Sequence, residues 1–184
     1  MKRLGFGMMA ILAMGIMSLS MSVAIAADGL KVGADCPDFE MEGTDGTKYS
    51  LKDFVGKKAF IIAWYPRAFT GGCTKECQSM KEHGAALRQF DVAYFTASCD
   101  PVAKNKDFAK SLDLDYPILS DPDGSIAKKF GVAREGGNPT ASRVTFIVGK
   151  DGKILAIDDA VKTTSHGQDI AKKLEELGVE KAAK

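Results

Sequence analysis

The sequence predicts one α/β domain: a mixed central sheet between helical layers, with a short hairpin near its N-terminal end. Three observations carry that expectation. Apolar runs of strand length alternate with segments of helical periodicity, the order of a parallel sheet with helical crossovers. The last two strand-like runs meet across Lys150-Asp151-Gly152, a turn signal that folds them back antiparallel. No repeat, low-complexity tract or internal linker divides the chain.

Taken in order, Asp38 to Tyr49, with Gly43 and Asp45-Gly46 as turn residues, reads as the short hairpin. Lys58 to Tyr65 is the first central strand, built on the apolar run Ala59 to Tyr65. From Cys73, the residues Cys77, Met80, Gly84 and Leu87 recur at helical spacing and give one core-facing stripe. Asp91 to Cys99 is the next strand, and Pro101 opens a helix over Val102 to Leu112. Tyr116 to Leu119 is a short strand before the turn Asp121-Pro122-Asp123-Gly124. Ser125 to Phe130 is a helix that Gly131 closes. A polar, glycine-rich loop from Arg134 to Ser142 leads to the hairpin of Arg143 to Val148 with Ile154 to Ile157. Gln168 to Leu177 is a final amphipathic helix.

The first 26 residues are a separate object. Lys2 and Arg3 begin it, an apolar Met/Ala/Leu/Ile stretch follows, and Ala24-Ile25-Ala26 is a small-x-small cleavage site. This is the pattern of a cleavable secretory signal, and it predicts a periplasmic or secreted protein with no membrane association after cleavage. An uncleaved anchor is the alternative; glycines and serines breaking the apolar run argue against it. The expected division is a signal over 1–26, the domain over 27–180 and a disordered charged tail over 181–184. Losing Lys2 and Arg3 takes the formal net charge from +1 to −1, which gives no basis for binding nucleic acid or an anionic membrane. Four cysteines (Cys36, Cys73, Cys77, Cys99) in an exported chain would often be a disulfide framework. A domain of this size holds its core without staples, so at least two of them are read as redox-active.

Cys73 carries the chemistry. It stands in the first turn of a predicted helix, shortly after a buried strand, in Pro66-Arg67-Ala68-Phe69-Thr70-Gly71-Gly72-Cys73. There the unpaired backbone N–H groups and the positive end of the helix dipole favour thiolate over thiol. The pattern Pro66-x-x-x-Thr70-x-x-Cys73 resembles the active-site signature of the peroxiredoxins. The local order around it looks most like their bacterioferritin-comigratory (PrxQ) branch. The resemblance runs from about Gly29 to Leu177 and narrows the fold to a thioredoxin-like sandwich. It implies a thiol peroxidase in which Pro66 shields the cysteine and Thr70 bonds thiolate and peroxide. Arg143, in Ser142-Arg143-Val144-Thr145-Phe146, would supply positive charge. It also implies a hydroperoxide substrate, a thioredoxin-like or other thiol reductant, and no cofactor or metal. A monomer is favoured and a dimer left open.

Cys77 departs from that pattern. The branch usually carries its resolving cysteine five residues after the nucleophile, where this chain has Gln78. Residues i and i+4 of a helix hold their Cβ atoms roughly 5–6 Å apart, whereas a disulfide wants roughly 3.5–4.5 Å. Bond formation between Cys73 and Cys77 therefore calls for unwinding of the first turns, which Gly71 and Gly72 ease. The plainer reading makes Cys77 one more member of the apolar stripe. Cys36 and Cys99 are read as small buried hydrophobes, with Cys99 a second candidate for the resolving role. His83 and His166 are read as partly exposed, without a catalytic part, and Trp64 and Tyr65 as walls or supports of the site.

Two rival functions share the fold. Cys73-x-x-x-Cys77 is similar to the copper pair of Sco-type chaperones, and two soft thiolates suit Cu(I). The histidine such a site needs ahead of Arg143 is absent from Asn138 to Ser142. A thioredoxin-like disulfide reductase uses Cys-x-x-Cys, one residue shorter than the spacing here. A non-catalytic binding domain would leave the Thr70–Cys73–Arg143 set without a purpose.

Overall fold

The computed structural model describes residues 29–183, so the expected export signal lies outside the described residues. Seven strands form one sheet in the order β2-β1-β5-β4-β3-β6-β7. The hairpin is β1 (Glu40–Gly43) with β2 (Lys48–Ser50), followed by a 3-10 turn at Leu51–Asp53. The central strands β3 (Ala59–Trp64), β4 (Val92–Ser98) and β5 (Ile118–Ser120) run parallel. The closing hairpin of β6 (Val144–Val148) and β7 (Ile154–Asp158) joins antiparallel at β3, and β1 joins antiparallel at β5.

Every residue of β3 is buried because helices or loops cover both faces of the sheet at its centre. The two-residue period sends Phe60, Ile62 and Trp64 to one face, where α4 (Ser125–Lys129) packs through Ile126 and Ala127. Ile61 and Tyr65 face the other side. There Ile61 meets the layer of α1 (Gly71–Glu82), α2 (Gly84–Leu87) and α5 (His166–Glu176). Tyr65 lies between α1 and α3 (Val102–Ser111).

The predicted stripe Cys73, Cys77, Met80, Gly84 and Leu87 is buried throughout, but its helix is broken at His83 (φ −99°, ψ 9°). The His83 ring nitrogen Nδ1 lies 3.0 Å from the Ser79 carbonyl, a local bond that competes with the helical ladder. The last helix crosses α1 closely: a Cβ on Gly167 would overlap the Ser79 carbonyl oxygen.

The C-terminal segment differs from its expectation as a loose tail from residue 181. Lys181 forms an antiparallel bridge with Phe90, and the Ala182 N–H donates to the Gln89 carbonyl (2.9 Å). The Lys181 ammonium also sits 3.6 Å from the centroid of the Phe90 ring. Charge alone suggested disorder; backbone pairing and this cation–π contact hold the segment to the end of α2.

Candidate active site

The loop after β3 sets up the site. The Ala68 N–H donates to Asp100 Oδ2 (2.7 Å), and Lys104 Nζ lies 2.6 Å from Asp100 Oδ1, so the loop is tied to the start of α3. Phe69 takes a left-handed backbone conformation (φ +64°), which is costly for a bulky residue, with its ring centroid 5.0 Å from that of Phe108. Thr70 is extended and precedes the first helical residue. Its hydroxyl donates to the Arg67 carbonyl (3.0 Å) rather than to the cysteine sulfur. In this state Thr70 therefore braces the loop. Pro66 is half-buried at the head of the same loop.

Cys73 is the third residue of α1, among the N–H groups that lack an intrahelical partner, and is 1% exposed. Arg143, just ahead of β6, reaches it across the chain fold: Nη2 lies 3.4 Å from Sγ. The absence of a side chain at Gly72 allows this approach, since a Cβ there would stand 3.2 Å from the same nitrogen. A guanidinium at this distance stabilises negative charge on sulfur. The other arm of the fork, Nη1, donates to Glu76 Oε2.

Glu76 was absent from the sequence reading. It is fully buried, one turn below Cys73 on the same face of α1. Its second oxygen, Oε1, faces His166 Nδ1 at 3.3 Å. His166 Nε2 in turn lies 2.9 Å from Thr145 Oγ1. The expectation of a partly exposed His166 is thus corrected: it is 1% exposed, at the first residue of α5. Burial pushes its pKa down to about 4, helped by the Arg143 charge and opposed by Asp158 and Asp169. The imidazole is neutral at pH 7. His83 is half-buried, as anticipated.

The structure separates the remaining cysteines. Cys77 packs in one cluster with Cys73, Tyr65, Ala68, Phe108 and Ile118. Its backbone carbonyl accepts the Tyr116 hydroxyl (3.0 Å), and its Sγ lies 4.0 Å from Thr96 Oγ1. Burial pushes the Cys77 thiol up to about 12. Cys99 and Cys36 belong to the cluster on the opposite face of the sheet, so the barrier between Cys99 and Cys73 is the sheet itself. All four are free thiols. Among the described residues no group of three or more His, Cys, Asp or Glu side chains could hold a metal ion. Trp64 packs on the far face against Phe130, whereas Tyr65 supports the cysteines and donates to Asn105 Oδ1 (2.8 Å).

Sheet order and site together define a class: a thioredoxin-like domain in which a cysteine at a helix start meets an arginine from the head of a distant strand. The model of the AhpC/TSA family matches residues 32–157, and the chain belongs to that family. Peroxiredoxin Bcp of Escherichia coli strain K12 is 31% identical over 142 residues, 74% of this chain and 90% of the relative. The crystal structure of peroxidoxin BcpB from Mycobacterium tuberculosis is similar with a TM-score of 0.74. It is 30% identical and covers 80% of this chain and 97% of that one. A mutant of PrxQ from Xylella fastidiosa gives 0.75 at 20% identity, covering 81% and 98%, and speaks to the fold alone.

The signal that could have found Glu76 was present. Cys73, Glu76, Cys77 and Met80 follow the i, i+3, i+4, i+7 pattern of a buried stripe. A carboxylate in such a stripe demands a buried partner. Its partners, Arg143 and His166, lie on elements that only the tertiary fold brings alongside.

Proposed function

We propose that this chain is a thiol-dependent peroxidase acting on hydrogen peroxide and small organic hydroperoxides, with Cys73 as its nucleophile. The observation that carries this reading is the 3.4 Å approach of Arg143 Nη2 to Cys73 Sγ at a helix N-terminus. The thiolate attacks one peroxide oxygen, the O–O bond breaks, and Cys73 becomes a sulfenic acid while water or an alcohol leaves after taking up a proton. Arg143 and the free N–H groups of the first turn stabilise the charge that moves onto the leaving oxygen. Pro66 shields the sulfur, and Thr70 turns its hydroxyl to the peroxide when substrate enters.

Resolution falls to Cys77 in this reading. Its thiolate attacks the Cys73 sulfur, a disulfide forms, and the sulfenic oxygen leaves as water. Two barriers have the same remedy. The intact helix holds i and i+4 sulfurs on separate turns, and burial keeps the Cys77 thiol protonated. Unwinding the first turns of α1 removes both, because it brings the sulfurs together and lets water reach Cys77. A thioredoxin-like or other small thiol reductant then reopens the disulfide. The copper-carrier reading is not favoured, given the family and the lack of a third ligand.

Residues 1–26 act as an export signal in this proposal and the mature protein works as a monomer outside the cytoplasm. N-terminal sequencing of protein from an exporting host is expected to begin at Ala27, and a start at Met1 contradicts export. The enzymatic proposal is tested by peroxide consumption with dithiothreitol as reductant. The wild type consumes peroxide catalytically and Cys73→Ser does not; equal rates would remove Cys73 from the reaction.

A further inference from the structure

Glu76 and His166 form a buried polar contact that the peroxidase reading leaves unused. Glu76 Oε1 and His166 Nδ1 are both buried without a hydrogen-bond partner, yet they face each other at 3.3 Å. The donor inventory fixes how they pair. An ionised carboxylate only accepts, so the tautomer that pairs the two is the one with its proton on Nδ1, which leaves Nε2 to accept the Thr145 hydroxyl at 2.9 Å. The same carboxylate receives Arg143 Nη1 through its other oxygen, and Arg143 points Nη2 at Cys73 Sγ.

We propose that His166 is a positioning residue for the peroxidatic cysteine: through Glu76 it fixes the Arg143 guanidinium over Cys73 Sγ. This rests on the proposed role of Cys73. Without a donor at Nδ1, one Glu76 oxygen is buried and unsatisfied, and the carboxylate is free to rotate about its single remaining bond. Arg143 then loses its anchor, because its fork is planar and its two arms move together. Three elements therefore meet in one chain of contacts: Thr145 and Arg143 at β6, His166 on α5, Glu76 and Cys73 on α1. The close α1–α5 crossing at Gly167, whose N–H donates to Ser79 Oγ (3.1 Å), holds the ring in register.

The geometry of amide replacements makes a specific test. An asparagine amide nitrogen lies where His Nδ1 lies, and a glutamine amide nitrogen where Nε2 lies. His166→Asn keeps a donor on Glu76; His166→Gln keeps only the Thr145 side; His166→Leu keeps neither. For each reduced full-length protein, stopped-flow gives the rate of Cys73 oxidation by hydrogen peroxide. Absorbance at 240 nm gives the midpoint of thiolate formation, and thermal melting gives stability. The expected result is a loss of roughly tenfold or more in rate for Gln and Leu, with a raised thiolate midpoint, while Asn stays within about threefold of wild type. Wild-type thiolate midpoints in all three variants would overturn the inference, and so would losses in Asn, Gln and Leu that simply follow their melting temperatures. Failure of the wild type itself to be oxidised at Cys73 would overturn the peroxidase reading instead, and the thiolate midpoints would still decide the role of His166.

Discussion

Arg143 and Cys73, seventy residues apart in sequence, are joined in space by a 3.4 Å contact from Nη2 to Sγ. The contact is indirect in origin. The strand β6 pairs with β3, whose end leads into the loop before α1, so sheet register sets the distance between the guanidinium and the sulfur. Glu76 then takes the second arm of the fork, and the cation cannot swing toward solvent without leaving a buried carboxylate behind.

Arg143→Gln therefore has two consequences that separate in the laboratory. Loss of the preorganised cation is expected to slow Cys73 oxidation about a hundredfold. Glu76 is left buried without its charge partner, at a cost of about 3 kcal/mol of folding stability. Stopped-flow with hydrogen peroxide checks the first and urea unfolding the second. Adding Glu76→Gln to Arg143→Gln is expected to restore much of the stability and none of the rate.

Tyr116→Phe loosens the helix whose unwinding the proposed resolution by Cys77 requires. Its hydroxyl donates to the Cys77 carbonyl from outside α1, a net contribution of about 1 kcal/mol. Removing it is expected to speed Cys73–Cys77 disulfide formation after peroxide about fivefold while leaving the first oxidation step unchanged. An unchanged resolution rate would show that opening of α1 does not limit the step.

The three other thiols make a pH prediction. Burial pushes Cys36, Cys77 and Cys99 up to about 12, so at pH 8 the folded protein holds almost no thiolate at these positions. Native protein is expected to resist iodoacetamide at all three, and guanidinium-unfolded protein to react at all. The sign of the stability effect follows from the same shift. Between pH 9 and 12 the unfolded chain releases these protons and the folded chain keeps them, so stability falls as pH rises through that window.

His166 acts on the acid side. Its folded pKa of about 4 lies below the ordinary 6.5, so between those values the unfolded chain binds the extra proton. Stability is complete above pH 6.5 and declines as pH falls toward 4, by up to about 3 kcal/mol from this group. His166→Asn is expected to flatten that part of the urea-derived stability profile.

Gly167→Ala tests the seat of that histidine. The added Cβ would overlap the Ser79 carbonyl oxygen, so α5 must shift from α1. The expected loss is about 1–3 kcal/mol in urea unfolding, together with slower oxidation of Cys73. Unchanged stability would mean that the helix crossing yields without strain.

Much of this molecule is legible in its sequence. The order of strands and helices follows from periodicity and Cys73 from its place at a helix start, whereas Thr70 and Arg143 come from the resemblance to the peroxiredoxins. What escaped were features created by packing. Glu76 lay on an apolar stripe, but nothing local named its partners. His166 opens a polar-looking helix, and only the crossing with α1 buries it. The thiol at Cys99 ends a strand close in sequence to the site, and the side-chain alternation of β4 sends it to the opposite face. Lys181 looked like a solvated tail because its pairing partner, Phe90, is ninety-one residues earlier.

The most direct measurement is the intact mass and peptide map of the reduced protein before and after one equivalent of hydrogen peroxide, with alkylation of free thiols. The expected product has lost two hydrogens, carries a Cys73–Cys77 disulfide, and keeps Cys36 and Cys99 free. Cys73 left unoxidised while peroxide remains, or oxidation that begins at another cysteine, contradicts a peroxidase centred on Cys73 and Arg143.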